Sequence, residues 1–197
     1  EKKSNLILLL QKAKHSSHTL SKWDYFRLKV YQAARNLKHR YPNIDGTDED
    51  IYNWSMETFH QESRYKENAK NPHSSAKYIF QAMYSTRESL NMPHKNVPLL
   101  KQVEYYEKYI CMMIDGQKLK TENLNTALDW YLITFYPALS DDSDNVTFAS
   151  CYGYKKNACR HKRGWKSCNY HANIGYDLNK DAKITKKEIG EHLLKNK

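Results

Sequence analysis

The sequence predicts a mostly α-helical domain with a small C-terminal appendage of different composition. Only 6 Gly and 5 Pro interrupt 197 residues, too few for a turn-dense β fold. Apolar residues recur at spacings of three and four over long stretches, the period of a helix with one buried face. After the polar run Ser140-Asp141-Asp142-Ser143-Asp144-Asn145 the chain becomes rich in Cys and Lys, which marks a boundary. With 40% hydrophobic residues, the main domain has enough apolar surface for a real core.

The first helix is expected between Leu20 and Tyr41, where Trp23, Phe26, Val30, Ala34 and Leu37 form one stripe flanked by Lys and Arg. Pro42-Asn43 and Asp45-Gly46 break it. Thr47 with Asp50 three residues on has the form of a capping box and starts a second helix from Asp48 to Ser63. Asn71-Pro72 marks a loop, and Ser74-Ser75 offers an N-cap. Ala76 to Leu90 then has the pattern of a third helix ending before Asn91-Met92-Pro93. Further helices are expected over Leu99 to Met113 and Thr121 to Phe135. The organisation that follows is a helical extension over 1–46, a core over 47–139 and an appendage over 140–197.

A net charge of +10 draws a surface toward polyanions, whether nucleic acid, anionic lipid or the bacterial envelope. The chain carries no RNP, helix-turn-helix or finger signature, so specific nucleic-acid binding is not expected. Leu6 to Leu10 is interrupted at Gln11 and Lys12, far short of the roughly 20 apolar residues of a membrane span. A soluble chain with no transmembrane segment is the expectation.

On the second helix Ile51, Thr58 and Glu62 lie 7 and 11 residues apart from Ile51, nearly the same direction at 3.6 residues per turn. Glu62 therefore projects from the inward face, where lost hydration raises a carboxyl pKa toward the range a general acid needs. Periodicity alone favours a solvated helix-end carboxylate, or one paired with Arg64 or Lys66, because most helix-terminal Glu residues are solvated.

The flanking sequence decides between these. Gln61-Glu62-Ser63-Arg64-Tyr65 resembles the Glu-Ser motif of lytic transglycosylases, with Ala69 and a loop following as in that family. Ser74-Ser75-Ala76-Lys77-Tyr78-Ile79-Phe80-Gln81 resembles the family's Ser-Gly-Ala-x-Gly-Leu-Phe-Gln segment. Met83 to Thr86 stands where the family has an apolar-x-x-Thr helix, and Lys101-Gln102-Val103 resembles its Gln-Leu helix. Leu128 to Ala138 is similar to the Tyr-Leu-x-x-x-x-Pro-Ala helix of phage-encoded members. The resemblance covers roughly Ile51 to Leu139 and implies a lysozyme-like fold. Ser75 and Tyr78 depart from the pattern, each standing where the family has Gly. A ring at Tyr78 either walls a sugar subsite or obstructs the cleft.

The resemblance implies that Glu62 is the single acid/base cleaving the bond between N-acetylmuramic acid and N-acetylglucosamine, leaving a 1,6-anhydro sugar. Ser63 would orient the substrate or Glu62, Gln81 would bond an N-acetyl group or the cleft backbone, and Tyr131 would line the cleft floor. Ser75, Tyr78 and Phe80 complete the substrate-binding set. The implied partner is peptidoglycan, with other virion proteins possible. The implied place is a phage virion or the bacterial periplasm and envelope. A goose-type hydrolytic lysozyme and a catalytically dead wall-binding or virion module are the alternatives.

In the appendage, Asp177 to Glu188 fits a 12-residue calcium loop. Asp177, Asn179, Asp181, Thr185 and Glu188 supply side-chain oxygens, and Lys183 a backbone carbonyl. Ala182 replaces the Gly of the sharp turn, which weakens affinity. Phage-type transglycosylases resemble the chain here too, with an Asn before the loop as at Asn173. The hand is unpaired in sequence and reads as structural. Cys151, Cys159 and Cys168 with His161 and His171 offer Cys-x-His and Cys-x-x-His spacings for Zn2+. They lack a paired-knuckle pattern, leaving a disulfide or free thiols as alternatives. Cys111, in an apolar helical stretch, is expected in the core.

Overall fold

The computed structural model describes residues 20–137, 140–143, 147–150, 173–181 and 183–195. It is mostly α-helical and divides into two compact units between Ser140 and Asp141.

In the first unit, helix α1 (Lys22–Arg40) starts at Ser21, whose Oγ accepts from Asp24 N at 3.1 Å. It buries Phe26, Val30, Ala33, Ala34 and Leu37, so α1 is part of the core and not an extension beside it. Trp23, expected in the same stripe, is 40% exposed and stacks on Phe26 at 4.9 Å. A Cβ at Gly46 would come within 2.5 Å of the Trp54 ring, so the turn into the next helix needs glycine for close approach. Helix α2 (Asp48–Ser63) opens with the Thr47 and Asp50 capping box. It closes on two consecutive left-handed residues, Arg64 at φ 52° and Tyr65 at φ 60°. Arg64 N donates to His60 O at 2.9 Å and Tyr65 N to Phe59 O at 3.4 Å, which satisfies two of the helix's last carbonyls.

The segment Ala76 to Leu90 is helical only over α3 (Tyr84–Ser89). Its first half is an irregular strap in which Lys77 pairs with both Lys70 and Ala82 in isolated antiparallel bridges. Tyr78 at φ 74° and Gln81 at φ 48° are left-handed, which a continuous right-handed helix does not admit. The apolar spacing that suggested a helix comes instead from Ile79 and Phe80, both buried by the strap. Helix α4 (Leu99–Gln117) runs one turn past the expected Met113. The stretch from Thr121 to Phe135 is split into a 3-10 turn (Thr121–Asn123) and helix α5 (Ala127–Phe135). A second capping box causes the restart: Thr126 Oγ1 accepts from Asp129 N at 3.1 Å, and Asp129 accepts from Thr126 N at 2.9 Å.

Helix α1 packs on α2 and α4, and α2 on α5. Among these helices Trp130, Tyr106, Phe59 and Phe26 are almost wholly buried. The Trp130 indole donates to Tyr106 Oη at 2.9 Å and Ser55 Oγ at 3.1 Å, so its buried N–H is matched. Gln102, fully buried on α4, joins the irregular segments. Its Oε1 accepts from Ile79 N at 3.1 Å. Its Nε2 donates to Glu67 O at 2.9 Å and Val97 O at 2.7 Å.

In the second unit, β1 (Thr147–Ser150) pairs antiparallel with β2 (Lys183–Thr185), Ala149 opposite Ile184. A 3-10 turn (Ile174–Tyr176) precedes β2, and helix α6 (Lys186–Lys195) follows it. Ile184 and Ile189 are fully buried, and Lys186 Nζ donates to Asp142 O at 2.7 Å. Among the described residues, no helix is long and apolar enough to cross a membrane.

Truncating Gln102 to Ala strands one buried amide and two carbonyls. A loss on the order of 3 kcal/mol is expected, read as a lower urea midpoint at unchanged slope. A midpoint within a few tenths of the wild type would show that the strap does not depend on this side chain.

Candidate active site

Glu62 lies in the last turn of α2, on the stripe that carries Ser55 and Thr58, both buried against α5 and α4. It is half-buried. Withdrawal of the carboxyl from water pushes its pKa up to about 7, against the opposing pull of a hydrogen bond from the Tyr131 hydroxyl of α5. Tyr109 of α4 stands close by: burial first, and then the Glu62 charge, push its phenol up to about 12. Its Oη donates to Thr134 O at 3.3 Å. Phe80 of the strap packs on Tyr109 at 5.7 Å and on Tyr106 at 5.6 Å. Tyr131 stacks on Phe135 at 5.6 Å. The carboxyl is thus placed among aromatic side chains, with one hydroxyl donor, and titrates near neutrality. Such a group can both give and take a proton at pH 7. Among the described residues, no second carboxylate figures in its electrostatics.

The other expected substrate contacts divide. Ser63 is buried and its Oγ donates to Phe59 O at 2.9 Å, so its proton is held by the helix backbone. Ser75 is exposed, and its Oγ accepts from Tyr84 N at 3.0 Å. Tyr78 is 4% exposed and donates to Pro93 O at 3.3 Å. Its ring belongs to the core, while its backbone is left-handed at φ 74°, a conformation that favours Gly. Phe80 is buried, and Gln81 Nε2 donates to Tyr78 O at 2.9 Å, bracing the strap's own backbone. Of the expected set, Tyr131 touches Glu62 directly and Phe80 stands one ring away. Tyr109 went unassigned because nothing in the sequence distinguishes it among 16 tyrosines. Gln102 falls within a motif whose pattern assigns it no role.

In the second unit, Asp177 and Glu188 are buried, and Asn179 and Asp181 are exposed. Asn179 Oδ1 accepts from Asp181 N and Asp181 Oδ1 from Lys183 N, both at 2.8 Å, each closing a turn on the backbone amide two residues on. Glu188 Oε1 accepts from Leu178 N at 3.2 Å, and its Oε2 from Thr185 N and Thr185 Oγ1 at 2.9 Å. The last acid of the loop therefore ties its two ends together. Among the described residues, no three His, Cys, Asp or Glu side chains converge as a metal-binding group. Lys180 has φ 61°; Ala182 lies outside the described residues, as do Cys151, Cys159, Cys168, His161 and His171. Cys111 is half-buried against the core. The short strand within the loop, Lys183–Thr185, pairs with Thr147–Ser150.

Compared with protein-family models, curated proteins and solved structures, the chain matches none of them.

Ionising a desolvated carboxylate costs stability. With a folded pKa near 7 against an ordinary 4.5, the native state keeps a proton that the unfolded chain has released. Stability is then full below pH about 4.5 and falls by on the order of 3 kcal/mol as pH rises through 7. Glu62→Gln, which keeps the shape and cannot ionise, should raise Tm relative to the wild type at pH 8 and leave it unmoved at pH 4. Parallel Tm-against-pH curves for the two proteins would place the carboxyl in solvent.

Proposed function

We propose that the chain is a peptidoglycan lytic transglycosylase of the phage type, with a lysozyme-like first unit and Glu62 as acid/base. The observation that carries this reading is Glu62 itself. It is the carboxyl of the Gln61-Glu62-Ser63 motif, bonded by Tyr131 and pushed up to about 7 by burial, and among the described residues no second carboxylate figures in its electrostatics. A glycosidase that works through two carboxylates needs a partner acid about 5 to 10 Å away. A transglycosylase does not, because its substrate supplies the nucleophile.

In the proposed reaction, protonated Glu62 gives its proton to the oxygen bridging C1 of N-acetylmuramic acid and C4 of N-acetylglucosamine. The C1–O bond breaks with its electron pair on that oxygen. The muramyl C6 hydroxyl closes onto C1, and its proton passes to the Glu62 carboxylate, which restores the acid. No water is consumed, and the intramolecular attack gains from effective molarities of about 10⁵ M or more. Tyr131, donating to the carboxylate, steadies Glu62 in the half-cycle when it is charged. The aromatic surroundings keep its pKa near the operating pH. The host envelope, reached from a virion or from the periplasm, is where such an enzyme acts. The net charge of +10 favours association with that anionic surface.

Digestion of purified sacculi followed by mass spectrometry of the muropeptides tests the chemistry. Products ending in 1,6-anhydro-muramyl residues are expected, with a loss of at least about a thousandfold in Glu62→Gln, a size in keeping with removal of the only proton-transfer group. Reducing ends would instead identify a hydrolytic goose-type lysozyme. Undiminished lysis by Glu62→Gln would remove Glu62 from the chemistry, and no lysis by the wild type would point to a wall-binding or virion module.

The loop from Asp177 to Glu188 is proposed to hold a structural Ca2+. The hard oxygens of Asp177, Asn179, Asp181, Thr185 and Glu188 suit that ion, with the Lys183 carbonyl completing the set. The ion would supply charge to bind the two ends of the loop that Glu188 already joins. An upward shift in Tm on adding calcium, reversed by chelator and absent in Glu188→Gln, is expected. A melting curve indifferent to both would exclude a calcium role.

A further inference from the structure

Tyr84, the first residue of α3, is 53% exposed. His94, in the loop after that helix, is exposed as well, its side chain to 46%. The two rings are parallel within 2°, with centroids 5.1 Å apart. Carbon atoms in contact lie about 3.5 to 4 Å apart, so parallel rings at that centroid distance are offset, and each leaves part of a face open. A single exposed aromatic needs no explanation. This pair, however, is held from several sides.

Tyr84 N donates to Ser75 Oγ at 3.0 Å, and the Arg87 guanidinium lies 5.8 Å from the centre of the Tyr84 ring. Arg87 is itself fixed on the strap, its Nη1 donating to Ser75 O at 2.8 Å and to Ala82 O. His94 Nε2 meets Glu88 Oε1 at 2.7 Å. The loop that carries His94 is tied at three points. Met92 N donates to Arg87 O at 2.8 Å, Tyr105 Oη to Asn91 O at 3.4 Å, and Tyr78 Oη to Pro93 O at 3.3 Å. The Tyr78 ring thus braces the residue next to His94.

We propose that Tyr84 and His94 form an outer sugar subsite, a platform on which a pyranose ring of the glycan strand stacks through its C–H face. This rests on the peptidoglycan reading above and adds to it a contact away from the bond that is cleaved. Four residues carry the strap from Phe80 to Tyr84, a span of at most about 14 Å. Phe80 packs on Tyr109, which feels the Glu62 charge, so the platform lies within a short run of sugars of Glu62. The exposed Glu88 carboxylate beside the rings suits hydroxyls at a sugar's edge. Rings held in place beforehand lose little freedom on binding.

The test is calorimetric titration of full-length Glu62→Gln protein, chosen so that the ligand stays intact, with the trimer and the hexamer of β-1,4-linked N-acetylglucosamine. The hexamer should bind about tenfold more tightly than the trimer, the size expected for one stacked ring. Tyr84→Ala in that background should abolish the gain and His94→Ala should reduce it. Tyr84→Phe, which keeps the ring, should retain it. Bound hexamer should also show sugar C–H proton signals moved upfield by the ring, a shift absent with Tyr84→Ala. A gain that survives Tyr84→Ala, a gain lost equally with Tyr84→Phe, or a hexamer that binds no better than the trimer would overturn the proposal. The titration needs no catalysis, so a failure here is distinct from a failure of wild-type lysis.

Discussion

The first unit depends on one side-chain amide. Gln102 reaches from a regular helix into three irregular stretches and gives each a hydrogen bond: the strap at Ile79, the turn after α2 at Glu67, and the approach to α4 at Val97. Glu67 adds a second tie, accepting from Leu99 N at 2.7 Å and from Lys22 Nζ at 2.5 Å. Lys22 holds the Glu67 carboxyl below its usual range, which keeps it ionised for that work. Irregular backbone in a buried setting is stable only when its amides and carbonyls are matched. A single residue of α4 does much of the matching here. The helix end that carries Glu62 and the strap that carries Phe80 are thereby fixed relative to one another.

Glu62 is held between two opposed influences. Loss of water raises its pKa and the Tyr131 hydroxyl lowers it, leaving a value of about 7. Either alone would serve poorly, since a fully desolvated acid would seldom ionise and a fully solvated one would seldom hold a proton. The carboxylate costs the fold some stability at neutral pH, where the unfolded chain ionises more readily.

How far the sequence discloses this depends on the kind of signal. The bounds of α2 are legible because Thr47 and Asp50 announce its start and the direction of Glu62 follows from simple periodicity. The restart at Thr126 is written in the same chemistry but lies inside a stretch that reads as one helix. The strap is hidden because Tyr78 and Gln81 occupy left-handed positions without being Gly, so no breaker marks them. Trp23 continues an apolar stripe that outruns the core it faces. Tyr109 acquires its interest from what surrounds it in space, which a one-dimensional pattern has no means of recording.

The closure of α2 bears on how the protein tolerates change. Helix ends usually fray, and a side chain in the last turn samples many positions. Here Arg64 and Tyr65, both left-handed, lock the terminus through amides to His60 and Phe59, and the carboxyl is aimed by the backbone before any neighbour touches it. The backbone requirement therefore reaches beyond the acid to Arg64, whose own side chain lies against the His60 ring. At 64, a branched side chain such as Val or Ile would resist φ 52°, whereas Gly or Asn would accept it. Variation among descendants of this chain should be filtered there by backbone shape alone, leaving an indifferent-looking site with a narrow repertoire.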